Sequence, residues 1–404
     1  MMKWAQLLAW RWMWPWVGSF GWLMWRMTAT GQEKVPREGP ILILPNHTST
    51  FDPIWAAFFL WRPMHFMASA QLFRFKALSL LIRLYGAFPK AKFVRDKDAM
   101  VTLHKLWDAG RPVLIFPEGR RTWDGRPHEV LPGIGRLITR LGARVVYARI
   151  KTGHLNHPRW ATYPRWVSIQ VEYDGPHTYE GWDNEAITAD VNERIRIDYR
   201  AEAEGFTFGW RMAHGLSDYL WACPECFETD ALRVDPKDGN AALCQQCSAH
   251  WVLDTSNRMH RRDRDEEPLL VPDARDRVVA HFGDPPVVDR ERFETEDIVI
   301  WCTGSIGTVE RGAKPEPVAE GRLTLTSQRL AVRDDRGEEL WGTELADIRV
   351  ISFELHNVLQ IRTRSHEGLF QVTPGVESTL MWGHFISSWR DIRQSEQETH
   401  KEKA

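Results

Sequence analysis

Four cysteines restrict one stretch of this 404-residue chain to few folds. Cys223, Cys226, Cys244 and Cys247 form two C-x-x-C pairs with seventeen residues between them. One such pair grips a metal ion from a tight turn, and two pairs complete a tetrahedron. The spacing therefore points to structural zinc. A site closed by four thiolates has no open position, so its work is folding rather than catalysis. The competing readings are two free thiol pairs or a redox dithiol. Cys302 stands alone and reads as a buried strand residue. Cysteines grouped this way do not form an extracellular disulfide scaffold, and a reducing cytoplasmic setting is expected.

The length exceeds one ordinary core, so two or three domains are expected. With 43% hydrophobic and 26% charged residues the chain is globular. Its net charge of −2 conceals an asymmetry. Residues 1–150 hold 22 Lys/Arg against 9 Asp/Glu, a net of +13, and the remainder carries −15. A basic first half suits phosphorylated substrates, anionic lipid headgroups or nucleic acid, and is otherwise a solvated face. Seven of the 21 tryptophans (Trp4, Trp10, Trp12, Trp14, Trp16, Trp22 and Trp25) crowd the first 25 residues. Tryptophan favours the membrane–water boundary. Arg11 and Pro15 interrupt the apolar run, which predicts two short helices lying in one leaflet. A hydrophobic hairpin packed on the domain and a single membrane span are the alternatives.

From Pro40 to Val171 short apolar runs alternate with amphipathic stretches. Ile41–Leu44, Pro112–Phe116 and Arg144–Ala148 read as strands covered on both faces, and Val167–Val171 as an alternating strand. Asp96–Asp108 reads as a helix stopped by Gly110. Gln71–Leu84 is apolar nearly all round and belongs in a core or at a membrane. Strands alternating with helices give an α/β domain. A polar helix over Trp182–Glu204 would close it. Charged, proline-punctuated sequence from Ser256 to Asp297 reads as a linker with one helix near Ala274–His281. Beyond it, Arg322–Thr326, Arg329–Val332, Leu359–Arg362 and Leu369–Val372 are short strands. Met381, Phe385, Trp389 and Ile392 mark a final helix that plugs a small barrel or sandwich.

Two motifs carry chemistry. In Pro45-Asn46-His47-Thr48-Ser49-Thr50-Phe51-Asp52-Pro53 a histidine precedes an aspartate by five residues. A short turn can bring Asp52 to the His47 ring, especially if Pro53 opens a helix. The imidazole then serves as a general base whose tautomer the carboxylate sets. This is a catalytic triad in which the acceptor's own hydroxyl replaces the serine. The bland reading is a core or loop histidine. About sixty-five residues on, Ile115-Phe116-Pro117-Glu118-Gly119-Arg120-Arg121-Thr122 offers a tight glycine turn and two guanidinium groups suited to phosphate oxygens. Both motifs follow apolar strands, at the edge where open α/β sheets place ligands.

Asn46–Asp52 and Phe116–Arg121 resemble the first and third motifs of the glycerolipid (lysophosphatidic acid) acyltransferases. Gly86–Lys92 sits where that family has its second, phosphate-binding motif. The resemblance covers roughly residues 20–180. It implies His47 as general base, Asp52 as its orienter, and Asn46, Lys92, Glu118, Gly119, Arg120 and Arg121 as substrate-binding residues. The implied donor is an acyl thioester on CoA or acyl carrier protein. Lys92 in place of arginine, Arg120 in place of a small or hydroxyl residue, and Tyr147 in place of proline depart from the family and are expected around the acceptor. The cysteine module resembles a zinc ribbon, and the C-terminal strands, chiefly Gly321–Leu330, resemble a PH/GRAM-like domain.

The resulting expectation is an α/β acyltransferase domain with membrane-associated helices, a zinc ribbon and an all-β PH-like barrel capped by a helix. The segments are 1–30 for the helices, 31–205 for the acyltransferase domain and 215–256 for the ribbon. Residues 257–296 form the linker and 297–395 the PH/GRAM-like domain. The expected function is acyl transfer to the hydroxyl of a lysophospholipid or glycerol-phosphate at the cytoplasmic face of a membrane, the protein being peripheral or monotopic. Expected partners are membrane lipids, the thioester donor and a protein bound by the ribbon or barrel. Nucleic acid is not expected, because the ribbon lies in the acidic part of the chain. The alternative is a non-catalytic membrane adaptor.

Overall fold

The computed structural model describes residue 8 and residues 19–91, 96–202, 206–309, 315–354, 358–375 and 377–403. The chain forms two compact units: Met1–Trp210 with Thr255–Asn257, and Arg211–Asp254 with Arg258–Ala404.

Among the described residues, the first unit lays down nine strands: β1 (Thr28–Thr30), β2 (Leu42–Pro45), β3 (His65–Ser69), β4 (Ala87–Lys90), β5 (Val113–Leu114), β6 (Val145–Lys151), β7 (Arg165–Val167), β8 (Gln170–His177) and β9 (Thr207–Gly209). Seven form one sheet in the order β1-β8-β6-β2-β5-β3-β4, and β7 pairs with β9. From β6 to β4 every pairing is parallel; β8 runs antiparallel to β6. Central β2 shows why the sheet is buried on both faces. Leu42 and Leu44 enter one apolar cluster, and Ile41 and Ile43 enter another. Side chains alternate across a strand, so four consecutive apolar residues serve two layers. One layer receives Leu103, Ile134, Ile138, Ile187 and Val191 from the helices Lys97–Asp108, Ile134–Leu141 and Asn184–Ile195; the other receives Trp55, Ala56 and Ala57 from the helix Asp52–Phe58. Burying each such leucine contributes roughly 2–3 kcal/mol.

The helix expected over Asp96–Asp108 runs over Lys97–Asp108, with Asp96 as its cap, whose side chain accepts from Ala99 N–H, and stops before Gly110 at φ +68°. The long helix expected over 182–204 is broken at Arg196, which takes extended dihedrals. Of the N-terminal helices, residues 1–7 and 9–18 lie outside the described residues, while 19–25 are helical. There Trp25 is buried against Trp55 and Phe51, with ring centroids 5.5 and 5.1 Å away, while Trp22 is 70% exposed. Among the described residues, no helix is long and apolar enough to cross a membrane.

The second unit corrects the expected layout. The cysteine module is a five-stranded meander: β10 (Leu232–Asp235), β11 (Asp238–Cys244), β12 (His250–Leu253), β13 (Arg258–Arg261) and β14 (Leu269–Leu270). It therefore runs past residue 256, and the stretch 257–296 is not a linker. That stretch holds two of the strands, the helix Val271–Phe282 and the helix Arg290–Glu296. Val278, Phe282 and Val287 are core residues, which the surrounding charges obscured in the sequence. Seven antiparallel strands follow: β15 (Ile298–Thr308), β16 (Glu316–Thr326), β17 (Arg329–Arg333), β18 (Glu339–Glu344), β19 (Ile348–Glu354), β20 (Val358–Thr363) and β21 (Phe370–Pro374). They form a half-barrel in the order β18-β17-β16-β15-β21-β20-β19. The helix Thr379–Lys403 supplies Met381, Trp382, Phe385, Ile386 and Trp389 to its core. Trp221 and Ala222, just before the first cysteine pair, belong to the same core. The Trp221 ring lies 4.8 Å from Phe282 and 5.6 Å from Phe385. Cysteine module and half-barrel are thus one packed body rather than two modules.

Candidate active site

The first unit delivers its polar residues at the C-terminal ends of β2, β5 and β6. The chain leaves β2 through Asn46 and His47, turns over Thr48–Phe51 and enters the helix at Asp52. A short turn of this kind throws the Asp52 carboxylate back over its own approach. Oδ2 accepts from Thr48 N–H at 2.6 Å and Ser49 N–H at 2.8 Å, and lies 2.9 Å from His47 Nδ1. Thr48 Oγ1 lies 3.4 Å from Oδ1. Asp52 is fully buried, whereas the His47 side chain keeps 19% of its surface. The ring stacks on Phe116, with centroids 3.9 Å apart and planes 20° apart. With an acceptor at Nδ1, the imidazole carries its proton there, which leaves Nε2 as the basic nitrogen.

Glu118 binds the two motifs together. Its Oε1 accepts from His47 N–H at 2.7 Å and its Oε2 from His128 N–H at 3.1 Å, while Thr122 N–H donates to the His47 carbonyl at 3.0 Å. The carboxylate is buried, and both oxygens serve backbone amides. Glu118 therefore braces the backbone that carries His47. Asn46 has a bracing role as well. Its Nδ2 donates to the Ile150 carbonyl at 3.1 Å and its Oδ1 accepts from Ile150 N–H at 2.7 Å, so it clamps β2 to β6. Gly119 makes the turn at φ +70°, where a Cβ would come within 2.8 Å of Leu131. Arg120 is exposed. Arg121 is half-buried and donates to Thr50 Oγ1 at 2.5 Å. Lys92 lies outside the described residues. Tyr147 does not face this site: its hydroxyl bonds Tyr179 on the opposite layer, where Asp190 and Arg194 continue the network.

Charge in the cluster is finely set. Burial pushes Asp52 up to about 7, against the amides of Ser49 and Thr48 and the positive charge of Arg121. Burial also pushes Glu118 up to about 7, against its two amide donors and with a further rise from Asp52. Burial lowers Arg121, and Asp52 opposes that. Near neutral pH the cluster can therefore hold or release a proton at little cost, as a general base must.

Sequence reasoning missed four residues here. Thr50, inside the first motif, is gripped by Arg121 and lies 3.2 Å from His157 Nδ1. Arg159 donates to the Arg121 carbonyl at 3.1 Å and stacks over Trp123. Phe116 forms the floor beneath His47. The signal for His157 and Arg159 was their place just beyond β6, a strand that ends at the same edge.

The second unit holds the four-cysteine cluster. Sγ of Cys223 and Cys247 are 3.8 Å apart, those of Cys226 and Cys244 are 3.7 Å apart, and all four lie within 4.8 Å of one another. A tetrahedral ion with metal–sulfur bonds of ~2.3 Å requires sulfur separations of ~3.8 Å. The amides of Glu225 and Cys247 point at Cys223 and Cys244 sulfur, each at 3.5 Å, as suits thiolate acceptors. The donor set fits a structural zinc ion.

Residues 26–151 match the family model described as Acyltransferase. A 1-acyl-sn-glycerol-3-phosphate acyltransferase of Borreliella burgdorferi is 24% identical over 123 residues, 30% of this chain. The chain spans about half the length (49%) of that curated relative. The solved 1-acyl-sn-glycerophosphate (LPA) acyltransferase PlsC of Thermotoga maritima aligns with 50% of this chain and 84% of its own, at 20% identity and a TM-score of 0.40. The C-terminal domain of an unknown protein from Leishmania infantum aligns with 25% of this chain and 93% of its own, at 18% identity and a TM-score of 0.17. The segment that holds His47, Asp52, Glu118 and Arg121 is therefore similar to the Acyltransferase family.

Proposed function

We propose that the first unit is an O-acyltransferase that moves an acyl chain from a thioester to the hydroxyl of a lysophospholipid or glycerol-phosphate at a membrane surface. One observation carries this reading: His47 Nδ1 lies 2.9 Å from a fully buried Asp52, beside the Arg121 guanidinium. The acceptor's phosphate sits against Arg120 and Arg121, which places its hydroxyl at His47 Nε2. That nitrogen takes the hydroxyl proton as the oxygen attacks the thioester carbonyl. The imidazolium that forms is held by Asp52. The tetrahedral intermediate then collapses, the carbon–sulfur bond breaks, and the proton on Nε2 passes to the departing thiolate. The sequence supports direct transfer, since its first cysteine is Cys223 and the first unit has no thiol to carry the acyl group. Donors on CoA and on acyl carrier protein both meet these requirements. Zinc on the four cysteines completes the second unit as a structural element.

The test is an acyl-transfer assay with both donor types and a mixed lysolipid panel, read by mass spectrometry. His47→Ala should lower turnover by about two to four orders of magnitude while the melting temperature is kept. Undiminished transfer by that variant would end the proposal, and absence of turnover across the whole panel would leave the adaptor reading.

A further inference from the structure

Among the described residues, one apolar stretch of the first unit enters neither of the two clusters that cover the sheet. Between β3 and β4 the chain forms a 3-10 turn over Ala70–Arg74 and a helix over Lys76–Leu84, and no residue of either is buried. Phe75 is 59% exposed and Leu80 64%, and Leu81 joins them. Ala77, Leu80, Leu81 and Leu84 fall at the spacing of one helical stripe, a pattern that normally seeks cover. The charge around it is one-sided. From residue 53 to residue 95 there are seven Lys/Arg and no Asp or Glu. Three of the cations, Arg74, Lys76 and Arg83, lie within or beside the helix.

This charge selects among the things that could cover the stripe. A second copy placed symmetrically would set the same cations against each other. Residues 1–32 of the chain are also free of Asp and Glu and carry Lys3, Arg11 and Arg26. An anionic lipid surface complements both the apolar stripe and the cations. Topology adds a reason. The crossover leaves β3 at the sheet edge where β2 and β5, parallel to it, deliver His47 and Phe116–Glu118. We propose that residues 70–84 form an interfacial docking element, which lies with its apolar stripe in the acyl boundary of an anionic membrane and holds the catalytic edge toward its lipid acceptor. The orienting role rests on the proposed acyl transfer; the docking does not.

The test uses the full chain and co-sedimentation with phosphatidylcholine vesicles, with and without phosphatidylglycerol. The wild type should bind the phosphatidylglycerol vesicles more tightly, and salt should weaken that binding. Leu80→Asp combined with Leu81→Asp should lower partition about tenfold or more. Lys76→Glu, a surface change that leaves folding intact, should lower it about fivefold or more and flatten the salt dependence. Both variants should keep the melting temperature and the turnover on a short-chain acceptor in monomeric solution. Wild-type partition by both variants would overturn the inference, as would equal binding to the two vesicle types. So would a dimer that the double substitution splits, which would make the face an interface between copies. If no acceptor is turned over yet vesicle binding follows this pattern, the docking element stands and the acyl-transfer reading falls.

Discussion

The His47–Asp52 cluster and the four-cysteine cluster solve one problem in opposite ways. Each draws together groups that need a partner, the first in a packed interior and the second with Cys223 and Cys244 buried but Cys226 and Cys247 exposed. In the first unit a buried carboxylate is held by the amides of Thr48 and Ser49 and by one imidazole, so the protein itself supplies every partner. In the second, four sulfurs stand 3.7–4.8 Å apart, with cross-pair contacts no dithiol needs, and only a cation makes them compatible as thiolates. The first arrangement leaves a proton free to move. The second leaves nothing free, and it is tied through Trp221 into the half-barrel core. The proposed function therefore assigns reactivity to the self-sufficient cluster, and folding to the cysteine cluster.

Removing the metal should break the contrast most sharply. Structural zinc sites of this type carry on the order of 10 kcal/mol of binding free energy, comparable to the whole stability of a domain. Chelation, or Cys244→Ser, should unfold the second unit. Loss of near-ultraviolet circular dichroism from its tryptophans and release of one zinc per chain would be seen, with acyl transfer retained. A second unit that keeps its melting transition without metal would show that the core alone suffices.

Next in size is His47→Ala, expected to remove about two to four orders of magnitude of turnover with no change in melting temperature. That is the reverse of the cysteine result. A smaller loss should follow Gly153→Ala. A Cβ there would come within 2.4 Å of Thr48 Oγ1, displacing a residue whose amide holds Asp52. A shift of about 1 Å at a catalytic group costs about 100-fold, so kcat should fall by roughly 10- to 100-fold while KM holds. Wild-type kinetics would show that the turn over 48–51 is compliant.

The gentlest test is pH. In the proposed mechanism, transfer needs the His47–Asp52 pair free of its extra proton. Because burial holds Asp52 at about 7, kcat/KM should climb through neutrality rather than level off near pH 5, and Asp52→Asn should abolish that limb. Stability runs the other way. A carboxyl group raised by folding binds its proton more tightly in the native state, so Asp52 and Glu118 should make the first unit less stable as pH rises from about 4 to about 7. Calorimetry with Glu118→Gln, which removes one such group, should reduce that slope.

Much of the site was legible because its parts are local. His47 and Asp52 meet across one turn, and the two C-x-x-C pairs each close within four residues. What stayed hidden depended on distance or on cover. Glu118 and Asn46 look like substrate ligands in a motif, yet their polar atoms are taken by the backbones of His47, His128 and Ile150, which only strand pairing brings near. Residues 257–296 look like a linker because charge outnumbers apolar side chains there, while Val278 and Phe282 align only once the chain is helical and Val287 joins their core just past the turn that follows.

Sequence alone determined the alternation of strands and helices in the first half, the pairing of His47 with Asp52, and the grouping of the four cysteines. Periodicity and short spacing are properties of the chain itself. Tertiary structure decided which polar groups are taken by the backbone, that the cysteine module and the half-barrel share one core, and that the apolar helix over 76–84 buries none of its residues. Burial and hydrogen-bond partnership are settled between residues far apart in the chain, and no local pattern records them.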